Sequence, residues 1–372
     1  MSDLLHPQHS AGIPYSRPHS PGVSPPQVGF VGIGSMGFYM ARNLATHQSP
    51  NAPPLLIWNR SQPKIQKLLE EAGSENVRVA QNLEQIATEC DIIITSLAND
   101  GVVKSVYEQL TKALSHAPPV RHKIFVETST TYPTLAGELD NLVSAVPHSN
   151  LVTCPVIGAP KAADARQLII VMSGDYRSKK DVAYLLVPAV GRRVIDLGEN
   201  LEKAPTCKLI ANSMILGSLE ILAEAYTLAE KSGIGAENVD SIVKDIFPAP
   251  GVMAYSEKMK NDHFDGSAGF TIDGGIKDAR WAALLHYCNV ISNVSIDSHI
   301  RRLTAEHDTP MPLADIAYQH LITARAIHNI MKAEGKEVYD PLDWSAIVAS
   351  TRIAAGLDAF DSSKHTAVVR EE

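Results

Sequence analysis

The chain has 372 residues, 45% hydrophobic and 20% charged, enough to bury the cores of two domains. Its formal charge of -8 argues against a nucleic-acid partner, which needs a concentrated basic face. Cys90, Cys154, Cys207 and Cys288 are scattered without C-x-x-C or Cys/His ligand spacing, which reads as reduced cytosolic thiols rather than disulfides or a metal site.

Residues 1–26 are rich in Pro, His and Ser and read as a disordered extension. His6, His9 and His19 are irregularly spaced and are expected to be solvated, not metal ligands. Without an apolar h-region the segment is no secretory signal, and with one Arg and an early Asp3 it makes a poor mitochondrial presequence, so a cytoplasmic protein is expected.

Val28 to Leu44 then reads as strand, tight turn and helix. The turn is Gly32-Ile33-Gly34-Ser35-Met36-Gly37, with glycines at G-x-G-x-x-G spacing. Gly32 permits the turn, Gly34 lets the backbone approach a pyrophosphate, and Gly37 lets the helix pack closely on the strand. In this context the motif predicts dinucleotide binding, with phosphates at the helix N-terminus. Leu55–Trp58 is a second buried strand, ending in Asn59-Arg60-Ser61. An acidic residue there would hold the adenosine ribose 2′-hydroxyl, whereas an arginine accommodates a 2′-phosphate. No carboxylate is present and Lys64 adds positive charge, so NADP(H) is expected over NAD(H).

Helical spacing over 65–73, a short strand at 77–80 and a helix at 83–88 lead to the apolar run 91–97, typical of a central parallel strand. Its carboxyl end opens into Ala98-Asn99-Asp100-Gly101, where ligands of open α/β sheets lie. The next strand, 123–126, is followed by Glu127-Thr128-Ser129-Thr130. These hydroxyls suit an amide or carboxylate, or serve as plain helix caps. A helix after Pro133, a strand at 151–156, the loop Ile157-Gly158-Ala159-Pro160, a strand at 168–172, a helix at 181–187 and a closing strand at 193–197 complete a first domain ending near Leu201.

Beyond Ala204 only helices are expected: a long one over 206–231, apolar nearly all round, then 237–247, 251–260, 276–292, 312–334 and 343–354. Lys208, Asn212, Glu220 and Glu224 mark the first as buried between domains or subunits rather than membrane-spanning. The domains are thus a 1–26 extension, an α/β doubly wound, mostly parallel nucleotide-binding domain at 27–203, an all-α domain at 204–360 and a polar tail at 361–372. Lys208 and Asn212, four residues apart, share a helix face. Such a lysine can donate a proton to, or polarise, a carbonyl oxygen; spacing alone favours the plainer reading, an interdomain salt bridge with a helix hydrogen bond.

In order and rough spacing, VGFVGIGSMG, WNRS, SLAND, ETST, CPVIGAP, KLIAN and GGIKDAR resemble the β-hydroxyacid dehydrogenase family, which includes 3-hydroxyisobutyrate dehydrogenases and glyoxylate and succinic semialdehyde reductases. The resemblance covers about residues 27–355. It implies a Rossmann domain, a long interdomain helix and a helical domain that dimerises or tetramerises, as in 6-phosphogluconate dehydrogenase-like folds. It implies Lys208 as catalytic acid/base with Asn212 beside the reacting oxygen. The loop 32–37, Asn59, Arg60, Ser61, Leu97, Ala98, Thr130 and Lys277 would line the cofactor. Ser129, Gly158 and Ala159 would line the substrate site, although Lys277-Asp278 read alone is a solvent-facing pair. Glu127 stands where the family usually has Asp, Ile157 and Ala159 replace a hydroxyl and a glycine of the substrate loop, and the glycine run before the lysine is mostly absent. A substrate larger or less polar near its carboxylate end is expected. An imine reductase on the same fold, or a non-catalytic NADP-bound protein, are the alternatives; Lys208 stands where imine reductases commonly carry Asp or Tyr.

Overall fold

The computed structural model describes residues 12–16, 25–49, 51–267, 269–279, 299–336 and 338–365. The chain divides into two compact units, residues 1–208 and 209–372.

Unit 1 begins with β1 (Val28–Val31), α1 (Ser35–His47), β2 (Leu55–Trp58), α2 (Gln62–Ala72), β3 (Val77–Val79), α3 (Leu83–Glu89) and β4 (Ile92–Thr95). It continues through α4 (Asp100–His116), β5 (Lys123–Glu127), α5 (Pro133–Ser144), β6 (Ser149–Thr153), β7 (Val156–Ile157), α6 (Pro160–Asp164), β8 (Leu168–Gly174), α7 (Tyr176–Leu186) and β9 (Gly191–Asp196). The strand order is β3-β2-β1-β4-β5-β6-β8-β7, with β9 on β8. Strands β3 to β6 along this path are parallel, while β8 runs antiparallel to β6 and β7. Both sheet faces are covered, and successive strand residues feed opposite cores. Ile92, Ile94, Ile124 and Val126 join the cluster under α1, α2 and α7, whereas Ile93 and Phe125 join the one under α3, α4 and α5. A strand buried on both faces must be apolar throughout, hence the unbroken Ile92-Ile93-Ile94 run.

Three departures from the sequence reading have local causes. The expected strand 151–156 is two strands, because Pro155 supplies no N–H for a ladder and its carbonyl instead accepts from Val171 N (3.0 Å). The 17-residue α4 fills a stretch assigned no element; its Val103, Val106, Tyr107, Leu110 and Leu114 form the buried stripe. Residues 12–16, read as part of a disordered extension, lie on the sheet edge: Gly12 O accepts from Val194 N of β9 (2.7 Å), and Ile13 and Tyr15 are buried in the α7-side core. This segment covers the free edge of β9, which would otherwise present unpaired backbone groups.

The helix α8 (Lys203–Ser232) crosses the division between the units. Unit 2 adds α9 (Ala236–Ile246), α10 (Pro250–Lys260), α11 (Ile272–Ala279), α12 (His299–Glu306), α13 (Pro312–Ala333) and α14 (Val348–Ala354). The helix read over 276–292 lies beyond residue 279 outside the described residues. By length and composition α8 could cross a membrane. Its polar groups are met inside unit 2, as in the core helix of a folded domain: Glu220 by His320 (2.7 Å), Tyr226 by Ser256 (2.7 Å) and Glu230 by Arg352 (2.6 Å). The tail is docked as far as His365, whose Nδ1 lies 2.8 Å from Glu230.

Candidate active site

The strand order reverses direction of winding between β1 and β4, and the carboxyl ends of these strands are where an open α/β sheet holds its ligand. Ser96 N donates to Val31 O (2.9 Å), fastening the two loops together.

The three glycines of the first loop do three different things. Gly32 has φ +100°, and a Cβ there would lie 2.2 Å from Ser96 O. A Cβ on Gly37 would lie 2.1 Å from Gly32 O, so only glycine lets α1 sit this close to the turn. A Cβ on Gly34 would meet no protein atom within 4 Å. Neither its backbone, at φ -81° and ψ -170°, nor the protein's packing therefore requires glycine at 34. What remains is a ligand that must approach the main chain. α1 also starts without a side-chain cap and with no acidic residue in its first turn, which leaves its amides and dipole to an anion. By contrast α3, α4 and α7 are capped by Asn82, Asn99 and Asp175. These features fit a dinucleotide pyrophosphate. Within the loop Ile33 is buried, Met36 half-buried and Ser35 exposed.

At the end of β2, Asn59 braces the loop: its Oδ1 accepts from Ile33 N (2.9 Å) and its Nδ2 donates to Ser61 O (3.0 Å). Arg60 is exposed, and among the described residues its side chain has no hydrogen-bond or ion-pair partner. An unpaired guanidinium beside a phosphate-binding loop fits a 2′-phosphate.

After β4 and β5, Leu97 and Thr130 are half-buried and Ala98 exposed. Ser129 is buried, and its Oγ accepts from Leu97 N (2.7 Å), so this hydroxyl is engaged in shaping the edge. Beneath it Glu127 is 2% exposed; Thr95 Oγ1 donates to its Oε2 (2.7 Å) and Ser129 N to its Oε1 (2.7 Å). Burial pushes the Glu127 carboxyl up to about 7, against hydrogen bonds from Ser129 and Thr95 that favour its charged form. The sequence reading treated Glu127 only as a tolerable replacement for Asp; its buried network has no local sequence signal.

Gly158 has φ +143°, and a Cβ there would lie 2.6 Å from Leu168 Cδ2, so backbone and packing already require glycine. Ala159 precedes Pro160 at the start of α6, and Ile157 pairs with Ile169. Lys208 and Asn212 lie one turn apart on α8 and are 5% and 8% exposed. The side chain of Lys277, in α11, lies outside the described residues. Among those residues no group of His, Cys, Asp and Glu has metal-binding geometry.

The family described as the NAD binding domain of 6-phosphogluconate dehydrogenase matches residues 27–198. The chain is 26% identical over 323 residues to the NADH-dependent oxidoreductase ucdB of Aspergillus ustus, covering 87% of this chain and 98% of that protein. It is 29% identical over 220 residues to a probable 3-hydroxyisobutyrate dehydrogenase of Mycobacterium tuberculosis, covering 58% of this chain and 68% of the relative. A solved structure, Mycobacterium tuberculosis 3-hydroxyisobutyrate dehydrogenase with L-serine, shares the fold at TM-score 0.66 and 21% identity, over 88% of this chain and 99% of that one.

Proposed function

From its match to the NAD binding domain of 6-phosphogluconate dehydrogenase and its similarity to 3-hydroxyisobutyrate dehydrogenases, we propose that the chain is a member of the β-hydroxyacid dehydrogenase family and an NADP(H)-dependent oxidoreductase acting on a carbonyl or hydroxyl carbon, with Lys208 as acid/base. The nicotinamide supplies or accepts the hydride. The protein's part is to hold the pyrophosphate at Gly34 and the first turn of α1, the 2′-phosphate at Arg60, and the reacting oxygen at Lys208. In reduction negative charge builds on that oxygen, and an ammonium lowers the barrier by meeting charge that exists only in the transition state. Asn212, one turn along the same helix face, shares the oxygen or orients the lysine. Ile157 and Ala159 favour a substrate bulkier or less polar near its carboxylate end than a small β-hydroxy acid. Lys208 favours carbonyl chemistry over imine reduction. Exposed Ile210, Met214, Ile221 and Leu228 along α8 support association of the helical unit with a second copy, as a homodimer or a homotetramer built from one.

The observation that carries the cofactor choice is Arg60, unpaired where an acidic residue would select NAD(H). The Aspergillus relative is named as NADH-dependent, so the choice between the two cofactors is the point to be measured. Fluorescence titration is expected to give at least about tenfold tighter binding of NADPH than NADH, a difference of about 1.4 kcal/mol, and Arg60→Asp should move the preference toward NADH. Equal affinities in the wild-type protein would refute the reading.

A further inference from the structure

Hydrogen bonds run inward from the ligand-facing edge of the sheet to one buried acid. Leu97 is the second residue after β4, at the switch point, and its amide donates to Ser129 Oγ (2.7 Å). Ser129 in turn gives Glu127 its amide (2.7 Å). The other carboxylate oxygen takes the Thr95 hydroxyl (2.7 Å), and Thr95 and Glu127 are register partners on β4 and β5. Glu127 thus ties together the ends of the two strands that flank the cofactor edge, and it does so from a position with no access to solvent.

We propose that Glu127 is a positioning residue for the nicotinamide end of the cofactor, fixing Leu97 through Ser129 and doing so more firmly as a carboxylate than as a neutral acid. The inference rests on the reading of Leu97 and Thr130 as cofactor-lining residues. In the charged state Glu127 holds the Ser129 amide through a charge-assisted bond, which fixes Ser129 and with it the Oγ that accepts from Leu97 N, and each bond polarises the next. Protonation leaves the network connected. The new Oε2–H donates to Thr95 Oγ1, and the Thr95 proton turns to Val126 O, 3.2 Å away. No group is orphaned, but the bond from the Ser129 amide then runs to a neutral acceptor, and charge-assisted hydrogen bonds are about twice as strong. The groups facing Glu127 fit this two-state behaviour. Asp100 at the start of α4 disfavours its charge, and Tyr107 on α4 and Cys154 after β6 are pushed up first by burial and further by the Glu127 charge. No cation is among the groups that shift Glu127, so nothing holds it permanently ionised. Its titration near 7 falls where it can be felt in solution.

Glu127→Gln fixes the neutral arrangement: the amide oxygen accepts from Ser129 N, and the amide N–H donates to Thr95. Calorimetric titration with NADP+ at pH 6.0 to 8.5 is the test, and the ratio of variant to wild-type Kd cancels the titration of the cofactor's own 2′-phosphate. The ratio should be near one at the acid end and rise to about fivefold weaker binding by the variant at the alkaline end, with a midpoint near 7. Ser129→Ala, which removes the link to Leu97 in both states, should weaken binding already at the acid end and more, by a further factor of about five, at the alkaline end, and covers the case in which Glu127→Gln fails to fold. A ratio constant across this range for either folded variant overturns the proposal, since a purely structural loss would weaken binding equally at every pH. If the wild-type protein binds NAD+ instead, the same ratio is measured with NAD+. If it binds neither cofactor, the proposed function itself fails and this inference falls with it.

Discussion

Adding one methyl group at Gly34 separates a cofactor loop from an ordinary glycine turn. The backbone at Gly34 is extended, φ -81° and ψ -170°, so alanine fits without strain, and its Cβ would have no protein atom within 4 Å. Folding stability should therefore change by less than about 0.5 kcal/mol, or rise slightly as alanine restricts the unfolded chain. The same methyl stands where a pyrophosphate must reach the Gly34 backbone and the first amides of α1. Losing two charge-assisted hydrogen bonds, each about 1.5 kcal/mol, should weaken NADPH binding on the order of 10²-fold. Gly37→Ala is the contrasting control. Its Cβ would lie 2.1 Å from the carbonyl of Gly32, a backbone atom that cannot swing away, so overpacking should cost about 1–3 kcal/mol of stability. Thermal denaturation and NADPH fluorescence titration on the two variants measure both quantities. Wild-type NADPH affinity in folded Gly34→Ala would refute the assignment of the loop to phosphate.

Lys208→Ala should lower kcat by about 10²- to 10⁴-fold with NADPH affinity nearly unchanged, and Lys208→Arg, which keeps charge but holds its proton, should also be impaired. Near-normal turnover in folded Lys208→Ala would return Lys208 to a structural role. Glu127 also makes a stability prediction of definite sign. The unfolded carboxyl releases its proton at 4.5 and the folded one at about 7, so the fold loses stability as pH rises between them, by about 3 kcal/mol in all. Urea unfolding at pH 4.5 and pH 8 should show this loss in the wild type and not in Glu127→Gln; equal slopes would contradict the burial argument. Arg352 is fully buried and paired with Glu230 (2.6 Å) and Asp262 (2.7 Å), so Arg352→Met removes the buried cation from both carboxylates, leaving His365 beside Glu230 and the Ser362 amide on Asp262, and should cost about 3 kcal/mol, read as a lowered unfolding midpoint of unit 2.

What the sequence made legible divides by the range of the interactions responsible. The roles of Gly32 and Gly37 follow from a turn only a few residues long, and the order of strand, turn and helix around them is visible in spacing alone. The long helix α8 was legible for the same reason, since thirty residues without a strand signal leave few alternatives. α4 carried an equally readable stripe from Val103 to Leu114, so its omission was a failure of reading and not of signal. Other features could not be seen because their partners are far away in the chain. Tyr15 is held by Tyr184 and meets Tyr176 edge to face, more than 150 residues downstream, and Arg352 meets a glutamate 122 residues upstream. Glu127 belongs to both classes. Its place at the end of a buried strand is written in the sequence, but its protonation near neutrality comes from burial first and from Asp100 after it, against the hydrogen bonds from Ser129 and Thr95, and only the assembled sheet brings those together. A carboxylate in that position is costly for the fold at neutral pH, and a neutral side chain would remove the cost. Its presence at the cofactor edge is therefore better explained by the bond it accepts from Ser129, which in turn holds Leu97, than by stability.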